Sequence, residues 1–383
     1  MDKKSLSIIF LVMTTELIGF AMLIPIMPQI FVDFNLSYLS ITALLTSYSV
    51  AQLIAAPVLG WMSDRVGRKP VLIVSQIGTV ISYIIFAMAN TFPVFLISRM
   101  LDGFSGGNIG TARAYIADIT SKEDRPKGMA VLGISFGVAF IVGPAIGILA
   151  FKSNSHALAA IIAGSLSFCS LILNILFLKE PKNRRSHSTH FFKSLKRIGS
   201  NKNLLALFTL QLVFFSIFSG FEATFSIFTD HQFGFLKNQN SWLFFYIGLM
   251  MLLVQATIVR KRAGNPKTYT NIGLFIISIG MIALGVSGTV PLLLIALAIF
   301  AIGAGLIHAY LPALLSITGD SDKEGELMGL YVSVNSLSRI IGTMVATPMI
   351  FHLWGSIYSI FALLLLITLV VFMSVFDRSS GSS

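Results

Sequence analysis

Apolar stretches of about 20 residues recur from one end of this 383-residue chain to the other, each about long enough to cross a bilayer core as a helix. No other feature constrains the fold as tightly. In lipid the backbone must satisfy its own hydrogen bonds, so a spanning segment is either a helix or a strand of a closed barrel. Barrel strands are shorter and alternate apolar with polar residues, and no such alternation runs through the sequence. Charged residues make up 11% of the chain, against about a quarter in soluble domains. An all-α integral membrane protein is expected.

The apolar runs place spans at roughly 6–31, 40–62, 70–90, 92–118, 128–151, 156–178, 203–228, 240–259, 268–288, 290–313, 325–350 and 354–376. Twelve transmembrane helices follow, divided six and six by a basic connector. The expected units are a six-helix bundle over 1–178, a linker over 179–202 and a second six-helix bundle over 203–383. The linker contains KNRRSHSTHFFKSLKR and reads as a solvated cytoplasmic segment, with a piece at the lipid surface as the alternative. The first span has no small-residue cleavage site, so it is expected to stay in the protein.

A formal charge of +11 raises the question of a nucleic-acid partner, and the location of the charge answers it. With the N-terminus inside, roughly 22 Lys and Arg fall in inner connectors, against Lys152 and Lys237 outside. The remaining three, Arg99, Arg113 and Arg339, lie within spans. This bias predicts a multi-pass protein of the cytoplasmic (inner) membrane with both termini in the cytoplasm, and no nucleic-acid partner. The single cysteine, Cys169, falls within a span and cannot form an intrachain disulfide.

The two halves echo each other at a displacement of roughly 195 to 201 residues, as internal repeats of transporters do. Gly19-Phe20 matches Gly220-Phe221, RVGRKP from Arg65 matches RAGNPK from Arg262, Arg113-Ala114-Tyr115 matches His308-Ala309-Tyr310, and Gly143 matches Gly342. Pairs in the same order at a nearly constant offset indicate duplication. Carriers use such halves to alternate access to a site between them.

GWMSDRVGRKP, Gly60 to Pro70, is a charged knot between the second and third spans. It resembles the major facilitator superfamily signature Gly-x-x-x-Asp-Arg-x-Gly-Arg-Lys, which Gly60, Asp64, Arg65, Gly67, Arg68 and Lys69 fill without a gap. Gly67 is expected to permit a tight turn and Gly60 a close helix approach. The resemblance implies a latch that holds the halves together on the cytoplasmic side when the outside is open. Arg68 is then expected to pair with Asp118, and Asp64 to face the start of the eleventh span.

The fifth span reads GVAFIVGPAIGI and is similar to the antiporter signature of proton-coupled drug exporters at Gly143, Pro144 and Gly147, with Ala139 and Ile148 in place of the outer glycines. ELIGFAMLIPIMP and SRMLDGFSGGNIGTARAYIADIT resemble the tetracycline exporter branch, with Glu16 where that branch usually has Asp. Ser82 stands where a further acid of that branch would belong, and the ninth span carries no acid.

Ionisable residues inside a membrane are costly and are functional candidates by default. At about 1.5 Å per residue Glu16 lies some 15 Å into the first span, and Asp102 at a similar depth in the fourth. Arg99 is one turn from Asp102 on the same face. The resemblance places Arg99 beside the first-span acid in support of proton coupling. Apolar burial and a nearby arginine oppose one another at Glu16 and can bring it within reach of protonation. A permanent Arg99–Asp102 structural pair is the alternative. Glu222 is a competing proton site. Arg113, His308 and Arg339 are expected on the wall of one cavity, and Asn108 and Tyr246 complete the substrate-binding candidates with Glu16, Arg99 and Glu222. His308 has no companion at metal-ligand spacing. No P-loop, zinc-protease helix or nucleophile elbow is present, so neither an enzyme nor a cofactor is expected.

The expected activity is proton-coupled export of a small organic molecule by a monomer. Exporters of an anionic metabolite or siderophore, and a non-transporting receptor on the same fold, are the alternatives. Three intramembrane arginines against three acids favour an anionic or zwitterionic cargo, tetracycline-like molecules included.

Overall fold

The computed structural model describes residues 3–34, 37–120, 125–152, 155–181, 199, 201–235, 237–260, 265–319 and 324–378. Most of the basic linker and Arg262 to Gly264 of the second-half repeat lie outside the described residues, as do the side chains of Pro25, Pro28, Ile148, Lys152 and Lys237.

Helices account for nearly all of the described chain. The first half holds α1 (Lys3–Asp33), α2 (Tyr38–Val66), α3 (Arg68–Ala87), α4 (Phe92–Gly106), α5 (Ile109–Ile119), α6 (Arg125–Lys152) and α7 (His156–Phe177). The second holds α8 (Lys202–Phe233), α9 (Lys237–Arg260), α10 (Pro266–Gly285), α11 (Val290–Thr318), α12 (Glu324–Leu353) and α13 (Ser356–Arg378). Seven of these, α3, α7, α8, α9, α10, α11 and α13, are long and apolar enough over their described residues to cross a membrane. With α4 and α5 taken as one span the helices run alternately up and down, and residues 3 and 378 share one end of the bundle: Ser135 near the start of α6 bonds to Phe10 O of α1, Gly133 faces Gln255 near the end of α9, and Lys267 at the start of α10 lies over Phe376 of α13.

One expected span is not a single helix. The fourth breaks at Gly107 and Asn108 into α4 and α5. Gly107 N–H bonds to Phe104 O at 3.4 Å and Asn108 N–H to Ser105 O at 3.1 Å, two successive tight turns in place of the helical register. The glycines permit it: a methyl group on Gly107 would lie 2.9 Å from the backbone nitrogen of Ala56.

The repeat inferred from sequence is visible in packing. A methyl on Gly143 would lie 2.8 Å from the Met22 nitrogen, so this glycine lets α6 press against α1. Its counterpart Gly342 lets α12 press against α8, where a methyl would collide with the Ser216 backbone. Pro144 and Gly147 sit in the same buried stretch of α6.

The halves meet along α6–α9 and α2–α12. The α6–α9 contacts run from the terminus-bearing end, where Gly133 faces Gln255, through Gly137 and Leu252 to Phe140 and Gly248. At that same end Gly110 of α5 meets Gly329 of α12. Large faces of α3, α7, α10 and α13 stay apolar and exposed, as with Ile81, Phe168, Phe275 and Val370, and Cys169 is exposed there too. In a bilayer these are the surfaces that meet lipid.

Candidate functional site

A small cavity of about 60 Å³ lies between the halves, lined by Tyr48, Gln52, Arg113, Phe136, His308, Asn335 and Arg339 among others. Among the described residues no carboxylate lines it. Arg113 stacks its guanidinium 4.4 Å over the Tyr331 ring, and its Nε and Nη1 are buried without a hydrogen-bond partner. His308 lies flat on Phe136 at 4.3 Å and edge-on to Phe214, Phe215 and Phe218, with Nε2 unpartnered. Phe136 comes from the first half and the other three from the second, so rings of both halves clasp one imidazole. Arg339 reaches from the cavity wall toward Glu222, Nη2 to Oε2 being 3.8 Å. Pockets that enclose drug-sized ligands run to about 300 Å³ or more, so in this conformation the two halves lie too close together to enclose one.

Glu16, Arg99 and Asp102 form a second cluster, inside the first half and off the cavity wall. All three are at most 4% exposed. Arg99 Nη1 binds Asp102 Oδ2 at 2.6 Å and its guanidinium lies 4.8 Å over the Tyr48 ring. Thr79 donates to Glu16 Oε2 at 3.2 Å, while Glu16 Oε1 has no hydrogen-bond partner. Gly106, the last residue of α4, leaves room for both Glu16 and the Tyr48 hydroxyl; a methyl there would lie 3.1 Å from Glu16 Oε1. Tyr48 therefore stands between the buried carboxylates and the cavity.

Gln52, one turn from Tyr48, ties these parts together. Its Nε2 donates to Gly106 O at 2.9 Å, and its Oε1 accepts from Ser336 Oγ of α12 at 2.9 Å. That second bond crosses between the halves. No motif marks Tyr48, Gln52 or Ser336, and the polar pair Tyr48 and Gln52 is masked by Thr46, Ser47 and Ser49 in the same span.

At the terminus-bearing end the charged knot is assembled. Arg68 contacts Asp64 at 2.6 Å and Asp118 at 3.0 Å, and donates to Ser63 Oγ at 2.6 Å. Gly67 has φ 121°, a backbone that side-chain-bearing residues rarely adopt. The Glu180 carboxylate accepts the backbone N–H groups of Arg68 and Lys69, both at 2.8 Å, which caps α3. Arg65 lies 4.1 Å over the exposed Trp61 ring. The expectation for Gly60 is overturned: a methyl there would meet nothing within 4 Å, so no close helix approach depends on it in this conformation. Side chains at the start of α12, the expected partner of Asp64, lie outside the described residues.

Of the substrate-binding candidates, Asn108 and Tyr246 stand away from the cavity wall, as Glu16, Arg99 and Glu222 do. Asn108 is fully buried at the α4–α5 break with its amide atoms unpartnered, and Tyr246 packs against the second-half hydrophobic core. Among the described residues no cluster of His, Cys, Asp or Glu could hold a metal.

The sequence profile of the Major Facilitator Superfamily matches residues 9–343. The chain belongs to that superfamily. Major facilitator domain-containing protein 10 of Mus musculus is 26% identical over 90% of this chain and 87% of its own. The class B tetracycline resistance protein of Escherichia coli is 29% identical over 89% of this chain and 87% of its own. The crystal structure of the human organic anion transporter MFSD10 (TETRAN) superposes with a TM-score of 0.84 at 24% identity, over 97% of this chain and 99% of that one. This major facilitator protein is thus a multi-pass membrane transporter, not an enzyme, and its central cavity lies between its two halves.

Proposed function

We propose that the protein is a proton-coupled antiporter that exports a small anionic or zwitterionic organic molecule across the cytoplasmic membrane, acting as a monomer with both termini in the cytoplasm. The observation that carries the cargo assignment is the cavity wall: Arg113, Arg339 and His308 line it and, among the described residues, no carboxylate does. The buried Arg113 Nε and Nη1 without partners favour a ligand that brings acceptor oxygens, and a planar fork binds a carboxylate or enolate through paired hydrogen bonds. Glu222 restrains Arg339 in the empty state and is freed when cargo takes its place. The tetracycline resistance relatives and the human organic anion transporter support this reading by what they are said to carry.

Proton coupling is assigned to Glu16, with Arg99 and Asp102 as its buried neighbours and Glu222 as the competing site. Alternation follows from the assembled latch and the α6–α9 contacts, which close the cytoplasmic side; release of both opens it.

The test is tolerance and efflux in cells expressing the protein. Arg113→Ala and Arg339→Ala are each expected to lower efflux of tetracycline about tenfold, the worth of one charge-assisted hydrogen bond, with expression unchanged. Strong ethidium efflux that ignores both substitutions would overturn the cargo assignment.

A further inference from the structure

Glu16 does not line the cargo cavity, and its surroundings lead along α3 instead. The inward stripe of α3 is Ser75, Gln76, Thr79, Ser82 and Tyr83, all at most 4% exposed. Thr79 reaches Glu16. One turn toward the terminus-bearing end, Gln76 donates to Ser170 Oγ at 2.9 Å and accepts from Asn174 Nδ2 at 2.7 Å, both on α7. Asn174 lies in the last turn of α7, which ends at Phe177. A file of polar groups therefore runs from that helix end to the midplane carboxylate. Asn174 Oδ1, Ser75 Oγ, Ser167 Oγ and Glu16 Oε1 in this file are buried and have no protein hydrogen-bond partner. Buried polar atoms of this kind take water, since hydrocarbon offers them nothing. Beyond Tyr83, in the other direction, Phe34, Phe86, Phe95 and His156 close the file with edge-on aromatic packing.

The second half shows that helix packing alone does not require this polarity. At the same register α10 buries Gly273, Leu274, Ile277, Gly280 and Met281, and its two buried hydroxyls, Thr270 and Ser278, bond back to carbonyls of their own helix and hold no partner on α13. Its partner α13 buries Leu365 and Phe372 where α7 has Ser167 and Asn174. The same fold seals the equivalent seam with apolar side chains, and the carboxylates Glu16 and Asp102 lie only on the polar side.

We propose that the α3–α7 seam is a water-holding proton path that joins Glu16 to the cytoplasmic side separately from the cargo cavity. The idea rests on the proton-coupled reading above. Glu16 in its acid form gives its proton to water at Thr79. The charge passes along water held by Ser75, Gln76 and Asn174 and leaves at the end of α7. The carboxylate left behind stays near Arg99; only O–H bonds break and form. The charged and titratable groups that face Glu16 are Arg99 and Asp102 from α4, Tyr48 from α2 and Tyr83 from α3. Among the described residues α6 and α7 bring no ionisable group to it.

The experiment is a pH jump followed by infrared spectroscopy on the full-length protein in lipid, with no cargo present. The carboxylic-acid band that disappears in Glu16→Gln reports the proton on Glu16. In Gln76→Leu its rate of proton loss is expected to fall about tenfold with the titration midpoint unchanged, while thermal stability falls with the loss of the two buried hydrogen bonds to Ser170 and Asn174. Ser167→Ala, which changes little volume, is expected to slow it at least about threefold and decides the matter if Gln76→Leu does not fold. Wild-type rates in both variants, or a loss of stability with no change in rate, would assign the seam to packing and overturn the proposal. A wild type with no Glu16-dependent band would instead overturn proton coupling by Glu16, a separate failure.

Discussion

Gly248→Ala should open the closed side of this transporter without touching its cavity. Gly248 of α9 faces the backbone of Phe140 on α6, and a methyl there would lie 2.6 Å from the Phe140 carbonyl carbon and 2.8 Å from its oxygen. Carbon atoms pack best at about 3.5 Å, so the helices must part by roughly 0.9 Å. Neither contact can rotate away, because the obstructing atoms are backbone. Overpacking of this kind costs about 1–3 kcal/mol, and the cost falls on the conformer in which the two helices touch. A bias of that size changes the ratio of closed to open molecules by about 5- to 150-fold. The assay is disulfide trapping in a Cys169→Ser background. A Cβ on Gly110 would lie 3.9 Å from the Gly329 Cα, so Gly110→Cys with Gly329→Cys is within bonding reach only when the terminus-bearing side is shut. Adding Gly248→Ala should slow trapping at least about fivefold, whereas Gly60→Ala, which meets nothing within 4 Å, should leave it alone. Equal trapping with and without Gly248→Ala would refute the claim that this contact holds the closed state.

Arg68→Ala removes the guanidinium that joins Asp64, Asp118 and Ser63, and is expected to cut transport at least about tenfold while tetracycline affinity moves less than about threefold; equal losses of both would place Arg68 in cargo binding. Gln52→Leu breaks the buried bridge to Ser336 and should slow the same cysteine trapping about fivefold, the worth of one buried hydrogen bond, with Ser336→Ala adding little in the Gln52→Leu background.

Much of this was legible in the sequence because membrane helices write themselves as long apolar runs. The twelve spans, the duplication and the charged knot all rest on local pattern. The Arg68–Asp118 contact was within reach because both residues fall at helix ends on one side. The break at Gly107–Asn108 was not, since Gly-Gly-Asn inside an apolar run reads as a flexible helix until the α2 backbone is seen pressing on it. Gln52 was hidden for another reason. A glutamine in a span has no assigned partner until the fold sets Gly106 on one side of it and Ser336, from the other half, on the other. Gly60 misled because a motif glycine describes a whole cycle of conformations, and this conformation does not use it.

The deeper point is that the backbone is nearly symmetric and the chemistry is not. Gly143 and Gly342 do the same packing in the two halves, and Arg113 and His308, counterparts by sequence, share one cavity wall. The first half alone buries the Glu16, Arg99 and Asp102 cluster with its polar file, and the second surrounds His308 with phenylalanines. A duplicated carrier that kept a full proton site in each half would have two carboxylate centres competing to set its conformation. The second half keeps the Arg339–Glu222 pair, but only the first buries an arginine with two carboxylates, and Gln52, bonded to both Gly106 and Ser336, is where the state of one half can be felt by the other. In the proton-coupled antiporter proposed above, coupling needs no direct contact between proton and cargo. It needs only that the Glu16 surroundings and the α12 helix cannot both relax while that bridge is whole.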